Sequence, residues 1–208
     1  MSRLNQSAVE PGALYADVML RIRQRFDAIN ALRKQEPSWS VGESIGTHLR
    51  KIIEGVAFGC IVAMQNSTKK LLRRVVGKWN ADDIFFELKK LDNFCYPDPS
   101  DIRPASEVEK RNCNVEVVLE GQEDRRISVD DLRAMYQRTH PWTHEDNPYV
   151  TRPLDDKNFD ILIEDVDKVE RMLSLHRIGI MGESFICIIR DKNDGQLKVH
   201  PISKIKSL

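Results

Sequence analysis

The chain has few cysteines, no long apolar run and no excess of either charge. Its four cysteines are scattered over 208 residues without a C-x-x-C pair. That spacing offers neither a zinc framework nor a disulfide scaffold, and it indicates a reducing compartment. The longest apolar-rich stretch, IIEGVAFGCIVAM, contains Glu54 and is too short to span a bilayer. With an N-terminus that lacks an apolar leader, the sequence predicts a cytoplasmic protein without membrane contact.

Charge and motif content exclude several functional classes. Lys plus Arg equals Asp plus Glu at 32 each, so no overall field attracts the protein to nucleic acid or acidic lipid, and such binding needs a local patch. The sequence has no Walker-type loop, no G-x-G-x-x-G and no G-x-S-x-G. We therefore expect no cofactor, and no metal is expected either.

Helical periodicity dominates the chain. Apolar residues recur at steps of three and four over residues 13–34, in a second segment that Ser40 and Glu43 open as a capping box, and in a last long helix from Asn158. The second segment is apolar on nearly all sides, which is typical of a central buried helix. We predict a mostly α fold, a helical bundle with small β-hairpins. It forms a single domain over 1–208, with 1–10 disordered.

Shorter signals mark the rest of the chain. The proline-rich stretch NFCYPDPSDIRPASEVEKRN is interpreted as a loop, and VEVVLEG with RRISV as a short hairpin. Ser128 and Asp131 form a capping box before VDDLRAMYQR. The segment 182–202, with Asp194-Gly195 in its turn, predicts a C-terminal β-hairpin appendage.

The stretch YQRTHPWTHEDNPY, residues 136–149, is the best candidate site. Pro141 predicts that the preceding helix ends near Thr139 or His140, which leaves Arg138 in the last turn, where a cation is favourable. Arginine stabilises negative charge on a phosphoryl group, and histidine moves protons near neutral pH. Arg138, His140 and His144 together could therefore cleave RNA without a metal. Pro141 also argues against a helical zinc pair formed by the two histidines.

The pattern Arg138-Thr139-…-His144 resembles the R-x(4–6)-H signature of the HEPN superfamily of small helical domains. The resemblance implies a metal-independent endoribonuclease of a bacterial stress or phage-defence system. Arg138 would bind the scissile phosphate and His144 would be the catalytic histidine. It also implies a homodimer with facing motifs, an RNA substrate, and a cognate antitoxin or defence-system protein as partner.

A second resemblance covers most of residues 40–200. HLRKIIEGVAFGCIVA, KWNADDIFFELKKLDNFCYPDP and HEDNPY are similar to segments of an uncharacterised bacterial family. That family implies no function.

Other polar residues complete the candidate set. Arg50 and Glu54 stand at i, i+4 in the central helix and pair with each other, or Glu54 pairs with Arg138; with His140 and Asn147 they are candidate support for the centre. His176, on the apolar stripe of the last long helix, is interpreted as a hydrogen-bonded core histidine. The basic segment TKKLLRRVVGKW predicts either a solvated face or a phosphate-backbone patch formed by Lys69, Lys70, Arg73 and Arg74.

Three hypotheses follow from these residues. The chain is a HEPN-like endoribonuclease, or a non-catalytic HEPN-like module that binds nucleotide or protein as an antitoxin or adaptor does, or a structural interaction domain. In the last two, His144 and Asn147 satisfy backbone groups in a buried loop.

Overall fold

Helices carry most of the described chain. The structure, a computed structural model, describes residues 11–64, 75, 78, 80–91, 94–143 and 156–202. Its α-helices are α1 (Pro11–Leu32), α2 (Trp39–Ala63), α3 (Ala81–Leu88), α4 (Glu107–Cys113), α5 (Val129–Arg138), α6 (His140–Thr143) and α7 (Asp156–Ser174). None of these helices is long and apolar enough to cross a membrane.

α1 and α2 form an antiparallel hairpin at the centre of the molecule. Glycines in α2 make the close approach possible: a Cβ at Gly55 would lie 2.9 Å from Ile22 Cγ1, and one at Gly59 would lie 3.1 Å from the Tyr15 ring. α2 is buried on nearly all sides, as its composition predicts. Its N-cap is Ser38, which accepts a hydrogen bond from the Val41 amide. The predicted Ser40 cap is therefore wrong, and Ser40 lies in the first turn.

One five-stranded antiparallel sheet packs against the helices. Its strands are β1 (Asp98–Pro104), β2 (Val117–Gly121), β3 (Leu175–Ile180), β4 (Glu183–Ile188) and β5 (Lys198–Pro201), in the order β2-β1-β3-β4-β5. β1 pairs with β3 only through Asp98 and Pro99, whereas all five residues of β2 pair with β1. The β1–β2 pair therefore projects beyond the rest of the sheet.

The fold prediction is confirmed in its helical content and in the C-terminal β4–β5 hairpin. It is wrong in treating the strands as separate small hairpins, because all five belong to one sheet, and the fold is mixed α and β. The predicted proline-rich loop contains β1 and α4. Pro99 and Pro104 are tolerated there because β1 loses its β3 partner after Pro99 and ends at Pro104.

The predicted hairpin of VEVVLEG with RRISV is also wrong. β2 pairs with β1, and residues 123–125 form a single 3-10 turn instead. A capping box at Ser106 and Glu109 opens α4, inside the predicted loop. The predicted Ser128 cap of α5 is confirmed, because the Ser128 hydroxyl accepts a hydrogen bond from the Asp131 amide; the Asp131 carboxylate accepts from that hydroxyl.

Candidate functional site

The candidate motif begins at the end of α5. Arg138 is the last residue of this helix, and the Thr139 hydroxyl donates to the Tyr136 carbonyl at 2.7 Å. Pro141 then lies in the short helical turn α6. Proline is compatible with such a first turn, because the amide it lacks would have no helical partner there.

Trp142 fixes this turn against α2. Its indole is 6% exposed and packs on Trp39, with ring centroids 5.1 Å apart. Gly42 and Gly46 leave the space that Trp142 occupies against α2. A Cβ at Gly42 would lie 2.2 Å from Trp142 Cζ3, and one at Gly46 would lie 2.5 Å from Trp142 Cβ. The segment after Arg138 is therefore anchored to the N-terminal half of α2.

Arg138 is paired with Asp165 of α7. Its Nε donates to Oδ2 at 2.8 Å and its Nη2 donates to Oδ1 at 2.7 Å, a bidentate contact. The Asp165 side chain is 4% exposed, whereas that of Arg138 is 46% exposed. The hydrogen bonds to Asp165 raise the pKa of Arg138. The pair therefore ties α5 to α7, with the guanidinium between a buried carboxylate and solvent.

Arg50 and Glu54 belong to a second polar cluster, which includes Tyr136 and His140. Glu54 accepts a hydrogen bond from the Tyr136 hydroxyl at 3.2 Å, and its carboxylate lies 2.7 Å from Lys51 Nζ and 3.5 Å from Arg50 Nε. The Arg50 guanidinium lies 4.1 Å from the centroid of the Tyr136 ring, and the His140 ring meets that ring edge-on at 5.8 Å. The predicted Arg50–Glu54 pair is confirmed.

The structure keeps these two polar groups on different sides of α5. Tyr136 and Arg138 are two residues apart, so their side chains leave the helix in roughly opposite directions. His140 lies on the Tyr136 side. The alternative in which Glu54 pairs with Arg138 is wrong, because Arg138 pairs with Asp165 instead.

Several predicted site residues lie outside the described part of the chain. They are His144 and Asn147 of the motif, and the basic residues Lys69, Lys70, Arg73 and Arg74. Their roles remain predictions.

Sequence reasoning missed Asp165, the partner of the motif arginine. Asp165 follows Leu162 by three residues and precedes Val169 by four, so it lies on the apolar stripe of α7 and is buried there. An acid on such a stripe needs a partner, because a buried unpaired charge is costly. The sequence could therefore have shown that Asp165 has a cationic partner, although it does not identify which residue that partner is.

Arg138 also lines an open groove of about 310 Å³ with Lys168 and Arg171 of α7 and with Arg125 and Asp131. Most of these cations already have acidic partners: Arg125 pairs with Asp101, and Lys168 pairs with Glu164. Arg171 is exposed and has no ion-pair partner among the described residues. The groove is therefore polar, but its positive charge is largely neutralised.

The described part of the chain brings together no group of three or more His, Cys, Asp or Glu side chains that could hold a metal ion. Two groups of side chains determine the chemistry that the site offers: Arg138 with its carboxylate partner, and the Arg50–Glu54–Tyr136–His140 cluster.

Comparison of the chain with models of protein families, with curated proteins and with solved structures found no match.

Proposed function

We propose that this chain is a non-catalytic HEPN-like binding module, of the kind that acts as an antitoxin or adaptor in bacterial stress or phage defence. The Arg138–Asp165 ion pair is the observation that supports this proposal most directly. In the proposed module the arginine and histidine segment is structural, and recognition takes place elsewhere on the surface.

The ion pair argues against a free phosphate-binding arginine. An arginine that stabilises a scissile phosphate offers parallel N–H donors to the phosphate oxygens. The Nε and Nη2 donors of Arg138 are both directed at Asp165 instead. The buried carboxylate also offsets the guanidinium charge, so the field available to a phosphate is reduced.

The experiment is a double-mutant cycle with Arg138→Ala, Asp165→Ala and both changes together. Each single variant should lower the free energy of unfolding by about 1–3 kcal/mol, because it leaves one partner without its hydrogen bonds; the half-exposed position of Arg138 favours the lower end. The double variant should lose less than the sum of the two. Arg171→Ala, which removes an exposed arginine without an ion-pair partner in the described part of the chain, is the matched control.

Cleavage of mixed cellular RNA in EDTA is measured on the same proteins. The module predicts no cleavage by the wild type and clear coupling between Arg138 and Asp165. If the wild type cleaves RNA and folded Arg138→Ala does not, the non-catalytic proposal fails.

A metal-independent endoribonuclease is the second candidate. It is favoured by the exposed half of the Arg138 side chain and by its place in an open groove beside Arg171. In this candidate Arg138 contacts the phosphate of an RNA substrate and His144 moves the proton. The protein then works as a homodimer and has a cognate antitoxin or defence-system partner. Loss of EDTA-resistant cleavage in folded His144→Ala, with a dimer mass by light scattering, is the expected result.

A further inference from the structure

A groove between α1 and α2 lies apart from the Arg138 side of the molecule. It has a volume of about 420 Å³, within the roughly 300–1,000 Å³ range of small-molecule sites. Each helix contributes one stripe at i, i+3, i+4 and i+7. The lining residues are Val18, Arg21, Ile22 and Arg25 from α1, and Lys51, Glu54, Gly55 and Phe58 from α2.

The groove has a cationic end and an apolar end. Because Gly59 of α2 faces Tyr15 while Gly55 faces Ile22, the two helices run antiparallel. That register brings Arg25 toward Lys51 at one end and Val18 toward Phe58 at the other. Lys51 and Phe58 are about two helical turns, or ~10 Å, apart. A ligand that fits this groove therefore carries negative charge at one end and an apolar group at the other.

The cationic end holds like charges close together. Arg21 and Arg25 stand at i, i+4, where like charges repel each other, and neither makes an ion pair within the described residues. Near Arg25, outside the groove lining, His48 Nδ1 is buried and has no hydrogen-bond partner in the described structure. Burial foremost, and then the charge of Arg25, lowers the pKa of His48. A bound anion would remove the repulsion between these groups.

Glu54 does not cancel this excess. Its carboxylate is shared by Lys51, by Arg50, which does not line the groove, and by the Tyr136 hydroxyl. With His48 neutral, Arg21, Arg25 and Lys51 oppose this one acid on the groove wall. The apolar end is shaped by Gly55, whose missing side chain lets Ile22 form the floor.

We propose that this groove binds a nucleoside phosphate, with the phosphate between Arg21, Arg25 and Lys51 and the base against Phe58. The proposal rests on the binding-module function and names its ligand class. Arginine and lysine supply charge-assisted hydrogen bonds to phosphate oxygens. An aromatic ring stacks on a nucleobase of any identity. A free nucleotide and a nucleotide of an RNA strand share this chemistry.

The experiment is isothermal titration calorimetry of the full chain. The probes are the four nucleoside 5′-monophosphates, adenosine, inorganic phosphate and penta-adenylate. At least one monophosphate should bind more tightly than either adenosine or phosphate alone. Affinity for penta-adenylate well above that for the mononucleotide identifies an RNA strand as the source, and equal affinity identifies a free nucleotide.

Substitutions locate the site. Arg21→Gln and Arg25→Gln should each weaken nucleotide binding by roughly tenfold or more, the contribution of one charge-assisted hydrogen bond. Phe58→Leu should weaken nucleotide binding but leave phosphate binding unchanged. Arg171→Gln removes the same charge from the other groove and should change nothing.

The proposal is overturned if none of the monophosphates binds in the range of about 1 mM or tighter, or if Arg21→Gln and Arg25→Gln bind as the wild type does. Failure here is distinct from failure of the binding-module proposal, which depends on RNA cleavage in EDTA and on Arg138. A chain that cleaves RNA through Arg138 can still bind a nucleotide in the α1–α2 groove. If the chain neither cleaves RNA nor binds a nucleotide, the nucleotide proposal fails and the binding-module proposal stands.

Discussion

Gly42 is the position at which the packing of the motif segment can be tested most directly. A Cβ added there would lie 2.2, 2.7 and 3.0 Å from three atoms of the Trp142 indole, all of them ring atoms. The indole has little room to move, because it is 6% exposed and contacts both Trp39 and Phe159. Gly42→Ala should therefore force the segment that follows Arg138 away from α2.

The magnitude follows from two opposing effects. Overpacking of a filled site costs about 1–3 kcal/mol, whereas replacing glycine by alanine within a helix gains up to about 1 kcal/mol. We expect Gly42→Ala to lower the free energy of unfolding by about 1–2 kcal/mol. In a Trp142→Ala background the obstacle is absent, so the same change should stabilise the protein by about 0.5–1 kcal/mol.

The assay is urea unfolding of the four proteins of this cycle, followed by circular dichroism. The decisive result is that Gly42→Ala lowers the free energy of unfolding of the wild type but raises that of Trp142→Ala. This comparison does not depend on how much Trp142→Ala itself costs. Gly121, whose added Cβ would meet nothing within 4 Å, provides the control substitution. The reasoning is refuted if Gly42→Ala destabilises both backgrounds equally or stabilises the wild type.

Three further predictions concern other parts of the fold. His176 is fully buried, its pKa is lowered to about 4, chiefly by burial, and its Nε2 lies 2.7 Å from the Tyr15 hydroxyl. Between about pH 6.5 and pH 4 the unfolded chain binds a proton at this histidine that the folded chain does not, so the free energy of unfolding should be at its full value above about pH 6.5 and fall by a few kcal/mol toward pH 4. Denaturant titration should not find this loss in a folded His176→Leu variant. Arg25→Gln should leave the melting temperature unchanged or slightly higher, because relief of an i, i+4 repulsion gains about 0.2–0.5 kcal/mol; a clear decrease in calorimetry would contradict the unpaired state of Arg25. Ser106→Ala should cost about 1 kcal/mol in chemical denaturation by removing the α4 cap, and an unchanged midpoint would argue against that cap.

Features that depend on residues close together in the sequence were predictable. The periodicity of α1 and α2, the Ser128 cap and the Arg50–Glu54 pair are each contained within a few helical turns, and the structure agrees with them. The prediction that His176 is a hydrogen-bonded core residue is confirmed as well. Its predicted place on the last helix is wrong, because α7 ends at Ser174 and His176 lies in β3, and the sequence did not identify Tyr15 as the partner.

Features that depend on distant residues were missed. β1 reads as a loop because of its prolines, and only its placement between β2 and the end of β3 explains why the missing amides are tolerated. Asp165 is 27 residues from Arg138, so no local pattern joins them. The α1–α2 groove was not predicted either, because the two sets of lining residues lie on separate helices and form a groove only when the helices pack together.

Because β1 pairs with β3 only through Asp98 and Pro99, the stability of the β1–β2 pair is partly independent of the rest of the sheet. Beyond Pro99, β2 is the only strand of the described chain that pairs with β1, and the ion pairs Arg103–Glu109 and Arg125–Asp101 join residues within this part of the chain and do not tie it to the helical hairpin. A two-stranded ribbon is marginally stable in water, so this part can open without unfolding the helical hairpin. Amide protons of residues 100–103 and 117–121 should therefore exchange as one group, well before those of α2.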